Sequence, residues 1–356
     1  MTTLWSKLIP MLGVVVLIGA IVLPMNPVLA VICLLTLMGT VICAVHHAEV
    51  VAHRVGEPFG TLVLALAVTI IEVALIVSIM LTGGTEAAAV PRDTVFSAIM
   101  IICNGLIGLC LLIGGVRHHE QSFNVGGANA ALATLIALTT LSLVLPAFTT
   151  SSAGPTYSAS QLSFAAIVSL VLWATFVFVQ TVRHRDYFLP VHGTADENIH
   201  AAPPTNRQTW VSFAFLLIGL LVVVGLAKML SPNIEAAVTR IGAPQATIGV
   251  LIAVLVLLPE TWAAVRAAMA NRLQTSLNLA LGSALASIGL TIPAVALTSL
   301  LLGTPLQLGL QAKDLVLLTL TFLVTSITLV TGRTSVMQGA IHIVIFAAFL
   351  FLTLIP

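Results

Sequence analysis

The sequence predicts an all-α polytopic membrane protein of about eleven transmembrane helices, arranged as two inverted five-helix repeats plus an extra N-terminal helix. Hydrophobic residues make up 59% of the 356 and charged ones only 7%, against roughly 45–50% and 25% in soluble domains. The apolar residues gather into eleven runs of spanning length, and two separated stretches of chain match each other.

A hydrocarbon layer about 30 Å thick takes about 20 helical residues at 1.5 Å rise. On that ruler the runs lie near 8–25, 27–49, 60–82, 93–115, 126–149, 161–182, 209–229, 244–268, 274–301, 313–331 and 335–355. The first follows Lys7 and has a weak small-residue site at Val28-Leu29-Ala30. It is nevertheless long for a signal peptide and leads straight into a second span, which favours a retained helix.

Charge and cysteine content narrow the function classes. A net charge of +1 with pI near 7.8 provides neither the basic stripe that nucleic acid requires nor an acidic tail. Nucleic acid is therefore excluded as a partner, and membrane lipid is the expected surround. Cys33, Cys43, Cys103 and Cys110 all sit inside apolar runs without CxxC spacing, as small core hydrophobes do. There is no soluble catalytic domain, so an enzyme is not expected, and no feature encodes the oligomeric state.

Lysine and arginine bias sets the expected orientation. With the N-terminus inside, Lys7, Arg54, Arg117, Arg183, Arg185, Arg207, Arg266, Arg272 and Arg333 are cytoplasmic, while Arg92, Lys228, Arg240 and Lys313 are not. The odd number of spans then puts the C-terminus outside. The polar stretch His184 to Gln208, with its prolines and charges, reads as a cytoplasmic linker. The expected organisation is an N-terminal helix at 1–26, a first five-helix repeat at 27–183, the linker at 184–208 and a second repeat at 209–356.

The repeat is visible in the residues. AEVVAHRVGEP (48–58) lies over IEAAVTRIGAP (234–244), matching Glu49 to Glu235, Arg54 to Arg240, Gly56 to Gly242 and Pro58 to Pro244. After two residues of slippage TLVLALAVTIIE (61–72) lies over GVLIAVLVLLPE (249–260), which puts Glu72 against Glu260. Five spans is an odd number, so the second half enters from the opposite side, with a site expected at the repeat interface near the midplane.

Glu72 and Glu260 each fall well inside an apolar run, at matching places in the repeat. A carboxylate there costs roughly 2.5–3.5 kcal/mol on insertion scales, so it faces a bundle interior or a watery cavity and marks an ion path. Pro259 removes a backbone donor beside Glu260 and predicts a kink that frees the Leu255 carbonyl. The helix after each glutamate carries neutral oxygens: Ser97 and Asn104 in one half, Asn278, Ser283 and Ser287 in the other. Ser283 and Ser287 share a face at i, i+4. Two carboxylates with amide, hydroxyl and carbonyl oxygens suit a hard cation such as calcium, and the same carboxylates can take protons instead. The cation and proton set is thus Glu72, Glu260, Asn104, Ser283 and Ser287, with Glu49 and Glu235 near the membrane faces as weaker gate or entry candidates.

The stretch HHAEVVAHRVGEPFGTLVLALAVTIIEVALIVSIM, residues 46–80, resembles the calcium/cation antiporter superfamily. That resemblance implies an inverted-repeat exchanger of a bacterial inner membrane, in which each repeat supplies an essential mid-membrane glutamate, here Glu72 and Glu260. It further implies proton-driven export of Ca2+, Na+ and K+ by alternating access, with H+ and these cations as cargo and no cofactor. The family's Gly-Asn-Ala-x-Glu is here Val68-Thr69-Ile70-Ile71-Glu72 and Val256-Leu257-Leu258-Pro259-Glu260, leaving the choice of cation open.

Two other readings stand beside it. His46, Glu49 and His53 fall at i, i+3, i+7 and could make an intramembrane metalloenzyme, and the same glutamates could line a passive cation channel. The histidines also carry a regulatory expectation. Of nine, only His342 lies within a span; His46, His47, His53, His118 and His119 cluster at cytoplasmic span ends and could sense pH.

Overall fold

The computed structural model describes residues 4–56, 59–84, 86–189, 204–240 and 242–355. Among the described residues it is nearly all helix, with eleven helices long and apolar enough to span a membrane. In chain order they are α1 Leu4–Val22, α2 Pro27–Val55, α3 Phe59–Thr82, α4 Ala87–His118, α5 Val125–Ala147, α6 Ala159–Arg183, α7 Asn206–Arg240, α8 Ala246–Met269, α9 Leu273–Leu302, α10 Ala312–Val330 and α11 Val336–Leu354. Helix ends follow local chemistry: Asn26 caps α2 with Pro27 behind it, and Ser158 with Gln161 closes a capping box on α6. The predicted linker is described only at its ends, since residues 190–203, with His192, Asn198 and His200, lie outside the described residues.

The connectors sort onto two faces. After even-numbered helices they meet through polar contacts: Gln121 and Ser122 bridge to Thr334 and Arg333, and the Gln121 amide donates to the Ala268 carbonyl at 2.9 Å. The Asn124 backbone N–H donates to Gln274 Oε1 at 2.6 Å. After odd-numbered helices they meet through backbone bonds, Gln307 to Ala88, Gly309 to Pro155 and Leu310 to Leu143, each 2.9 Å. The start of α1 lies at the even face, where His47 Nε2 bonds the Ser6 carbonyl at 2.8 Å. The end of α11 lies at the odd face, where Lys313 Nζ donates to the Leu352 carbonyl at 3.0 Å. An odd number of crossings requires this separation.

Two apolar cores fill the bundle. One joins α4, α5, α6, α9, α10, α11 and the face of α8 that carries Ala253, Leu257 and Ala264; the other joins α1, α2, α3, α7 and the face of α8 that carries Ile248, Ile252 and Val256. The most apolar window of α4 is 78% buried, against 22% for α1 and α6, so α4 is central and those two face lipid. At 29 and 35 residues, α2 and α7 run to roughly 43 and 52 Å, longer than the hydrocarbon, and must tilt or protrude. They pack against each other along their length.

Packing across the halves is reciprocal: α3 lies on α9 as α8 lies on α4, and α6 lies on α9 as α11 lies on α4. Two glycines permit it. A Cβ on Gly249 would stand 2.7 Å from the Asp93 carbonyl carbon, and one on Gly289 would stand 2.7 Å from Trp173 Cβ. Three helices contain a π-type turn, at Ile101–Leu106 in α4, Thr140–Val144 in α5 and Val179–Arg183 in α6. The first holds Asn104.

Candidate cation site

Glu72 on α3 and Glu260 on α8 are 3% and 1% exposed and sit on the seam between the two cores. Each is clasped by α9. Ser287 Oγ donates to Glu72 Oε1 at 2.7 Å, and Ser283 Oγ donates to Glu260 Oε2 in a short bond. The two serines are one turn apart, so the carboxyls are drawn to points about 6 Å apart along α9, near enough to interact electrostatically. Hydroxyl bonds to carboxylates are charge-assisted and short, which suits acidic groups that must be buried without an ion partner.

The arrangement leaves acceptor capacity unused. Glu260 Oε1 is buried with no hydrogen-bond partner among the described residues, and each serine oxygen keeps a lone pair after donating. Thr291, the next position of the same stripe, is fully buried with its hydroxyl likewise unpartnered. The sequence reading did not single it out, although its i+4 spacing from Ser287 was there to be read. Two carboxyls and the two serine hydroxyls that hold them, set one turn apart on α9, can take a hard cation or protons.

The structure does not bring Asn104 to this place. Its Nδ2 donates to Thr321 Oγ1 at 2.9 Å, and its Oδ1 faces His342 Nδ1 at 3.2 Å. His342 is fully buried and also meets Thr328 Oγ1 at 3.2 Å. Ser97 turns its hydroxyl back to the Asp93 carbonyl at 2.6 Å, and Asn278 donates to the Phe188 carbonyl at 2.5 Å. Pro259 lies inside α8, which continues as one helix from Ala246 to Met269.

Glu49 is exposed on α2, and Glu235 lies on α7 with its side chain outside the described residues. The five histidines do not form one cluster. His46 and His47 pack with Trp5 and Phe215, the His47 ring stacked on Phe215 at 5.4 Å. His118 bonds the Met269 carbonyl at 3.0 Å, while His53 and His119 are exposed. Among the described residues no three histidines, cysteines or acids are placed to hold a metal, so His46, Glu49 and His53 do not converge as a metalloenzyme would need.

Two crevices lead inward at related places. One, between α3, α6 and α9, is lined by Gln180 and Asn278 at the even face and reaches Ser283, with about 20 Å³ of free volume. The other, between α4, α8, α10 and α11 at the odd face, has about 40 Å³ and ends at Ser97.

Comparison with known proteins agrees with this architecture. The sodium/calcium exchanger protein family matches the chain twice, over residues 25–182 and 211–355. A Sinorhizobium fredii protein, y4hA, whose name describes it as a candidate ionic transporter, is 51% identical over 99% of this chain and 96% of its own length. The sodium-potassium/proton antiporter ChaA of Escherichia coli is 35% identical over 97% of this chain and 94% of its own. The solved H+/Ca2+ exchanger CAX shares the fold at TM-score 0.73 and 15% identity, covering 97% of this chain and 87% of that one. These relatives are transporters, not enzymes.

Proposed function

The chain belongs to the sodium/calcium exchanger protein family, and on that premise we propose that it is a secondary active antiporter that exports Ca2+, Na+ or K+ in exchange for H+. The observation that carries the proposal is the pair of repeat-matched, buried glutamates, Glu72 and Glu260, both held by serines of one helix. Cation and proton are alternative occupants of the same oxygens. When the carboxyls are ionised, they with Ser283 and Ser287 offer the hard oxygen ligands that a bare cation needs; when both are protonated, the site is neutral without a cation. Net charge at the seam stays nearly constant in either state, which keeps the buried site tolerable through the cycle.

We place the two five-helix halves, 27–183 and 209–356, in inverted orientation, with α1 outside the repeat. The even face is assigned to the cytoplasm of a bacterial inner membrane, on the support of the lysine and arginine bias. Alternating access is supported by the two crevices, of which one reaches a site residue and the other stops short. Inverted repeats with one buried carboxylate each suit such a cycle better than a ring-lined pore.

Proteoliposomes test the proposal. An imposed pH gradient should drive Ca2+, Na+ or K+ uphill, with proton movement in the opposite direction. Purely downhill cation flux, indifferent to the pH gradient, would make the protein a channel instead.

A further inference from the structure

The crevice that stops short is lined by charged residues. At its mouth Arg92 Nε pairs with Asp93 Oδ1 at 2.7 Å, and these residues are only 7% and 8% exposed. Arg92 Nη1 also donates to the Gly309 carbonyl at 3.2 Å, tying α4 to the connector before α10. Lys313, at the start of α10, donates to the Leu352 carbonyl at the end of α11. Asp314 stands beside it, within electrostatic range of both Asp93 and Arg92. The Asp93 backbone packs against Gly249 at the start of α8, the helix that carries Glu260.

Among the described residues the crevice on the other face is lined without charge, its mouth carrying neutral Gln180 and Asn278. We propose that Arg92, Asp93, Lys313 and Asp314 form a charge-locked gate at the odd face, which must come apart for the site to open there. The proposal rests on the alternating-access reading above. Arg92 and Asp93 are neighbours on α4, so what ties the elements together is the Arg92 bond to the Gly309 carbonyl before α10, the Lys313 bond to the Leu352 carbonyl of α11, and the attraction of Asp93 for Lys313 and of Arg92 for Asp314 across α4 and α10, helices that would have to separate around α8. Opposite charges buried between two elements contribute little net stability but favour one arrangement of those elements, as a gate closed for part of a cycle requires. The neutral mouth needs only side-chain and water rearrangement, so the two faces should open with unequal ease.

Cysteine accessibility tests the gate. In a background with Cys33, Cys43, Cys103 and Cys110 replaced, Ser97→Cys reports the odd-face crevice and Gly282→Cys the even-face one, where a Cβ meets nothing within 4 Å. A membrane-impermeant maleimide is applied to the appropriate face of oriented vesicles. In the parent, switching between calcium-loaded and acidic calcium-free conditions should change the two labelling rates in opposite directions. The double change Arg92→Gln with Asp93→Asn, and separately Lys313→Gln, should raise Ser97→Cys labelling by roughly tenfold and lower Gly282→Cys labelling, as a shifted two-state population requires. Unchanged rates in variants whose parent shows the reciprocal response would overturn the gate alone. Increases at both positions would mean that the quartet only holds the fold together, and would overturn it as well. No reciprocal response in the parent would defeat alternating access, and the gate with it.

Discussion

Ser287 on α9 donates a 2.7 Å hydrogen bond to Glu72 on α3, binding a residue of one half of the chain to the essential candidate of the other. One turn earlier Ser283 donates to Glu260 of its own half. A single helix thus sets the spacing of the two carboxyls on which the proposed exchange depends.

Removing either hydroxyl should weaken cation binding without unfolding the protein. A hydrogen bond to a charged group is worth about 1.5–3 kcal/mol, so Ser287→Ala or Ser283→Ala should lower apparent cation affinity by about tenfold or more. The sign with pH follows from what is lost. The hydroxyl supports the ionised carboxylate, so without it protons compete better and the defect should deepen at low pH. Initial exchange rates over a cation series at several pH values measure this; a defect independent of pH would argue that the serines only pack.

Asn104 separates a ligand from a packing role. Its bonds to Thr321 and His342 predict that Asn104→Ala lowers thermal stability, by about 1–3 kcal/mol for buried partners left unpaired, with little change in cation affinity. Thermal unfolding in detergent beside transport kinetics reads both. A tenfold affinity loss at normal stability would return Asn104 to the cation site.

That difference shows what was legible in the sequence. Glu72 and Glu260 stand out because a carboxylate in an apolar run has few uses, and Ser283 with Ser287 because i, i+4 spacing survives in a regular helix. Asn104 lies in the π-type turn Ile101–Leu106, where one extra residue swings everything beyond it by about 100° around the axis. Periodicity cannot register that insertion, so depth was readable but facing was not. The Arg92–Asp93 pair was equally hidden, since adjacent opposite charges at a span end look like a solvated edge until the connector at Gly309 closes over them. The eleven spans were readable throughout, although α7 continues as helix to Arg240, beyond its apolar run.

The five histidines are the proposed second source of pH dependence, although the structure does not gather them into one cluster. Protonated imidazoles at the even face would add positive charge at the cation entrance and depress activity in acid. Glutamine at His46, His47, His53, His118 and His119 should therefore restore activity at acidic pH when the pH gradient is held fixed. His47→Gln should in addition loosen α1, whose Ser6 carbonyl it bonds, so a variant retaining His47 is the cleaner comparison. An unchanged profile would assign the whole pH response to the glutamates.

Orientation is open to labelling. A tag after Asn198 should be reachable only from the cytoplasm and one beyond Leu354 only from the periplasm, given that the start of α1 and the end of α11 lie at opposite faces. Same-side labelling of the two would contradict the odd number of crossings.

The most direct measurement is calcium/proton exchange by Glu72→Gln and Glu260→Gln in proteoliposomes. The amide keeps the volume of the side chain but can neither ionise nor release a proton, so each variant should insert normally and show no exchange under either a proton or a calcium gradient. Glu49→Gln and Glu235→Gln should retain most activity, as befits residues near the membrane faces. Full exchange by either Glu72→Gln or Glu260→Gln would contradict the account.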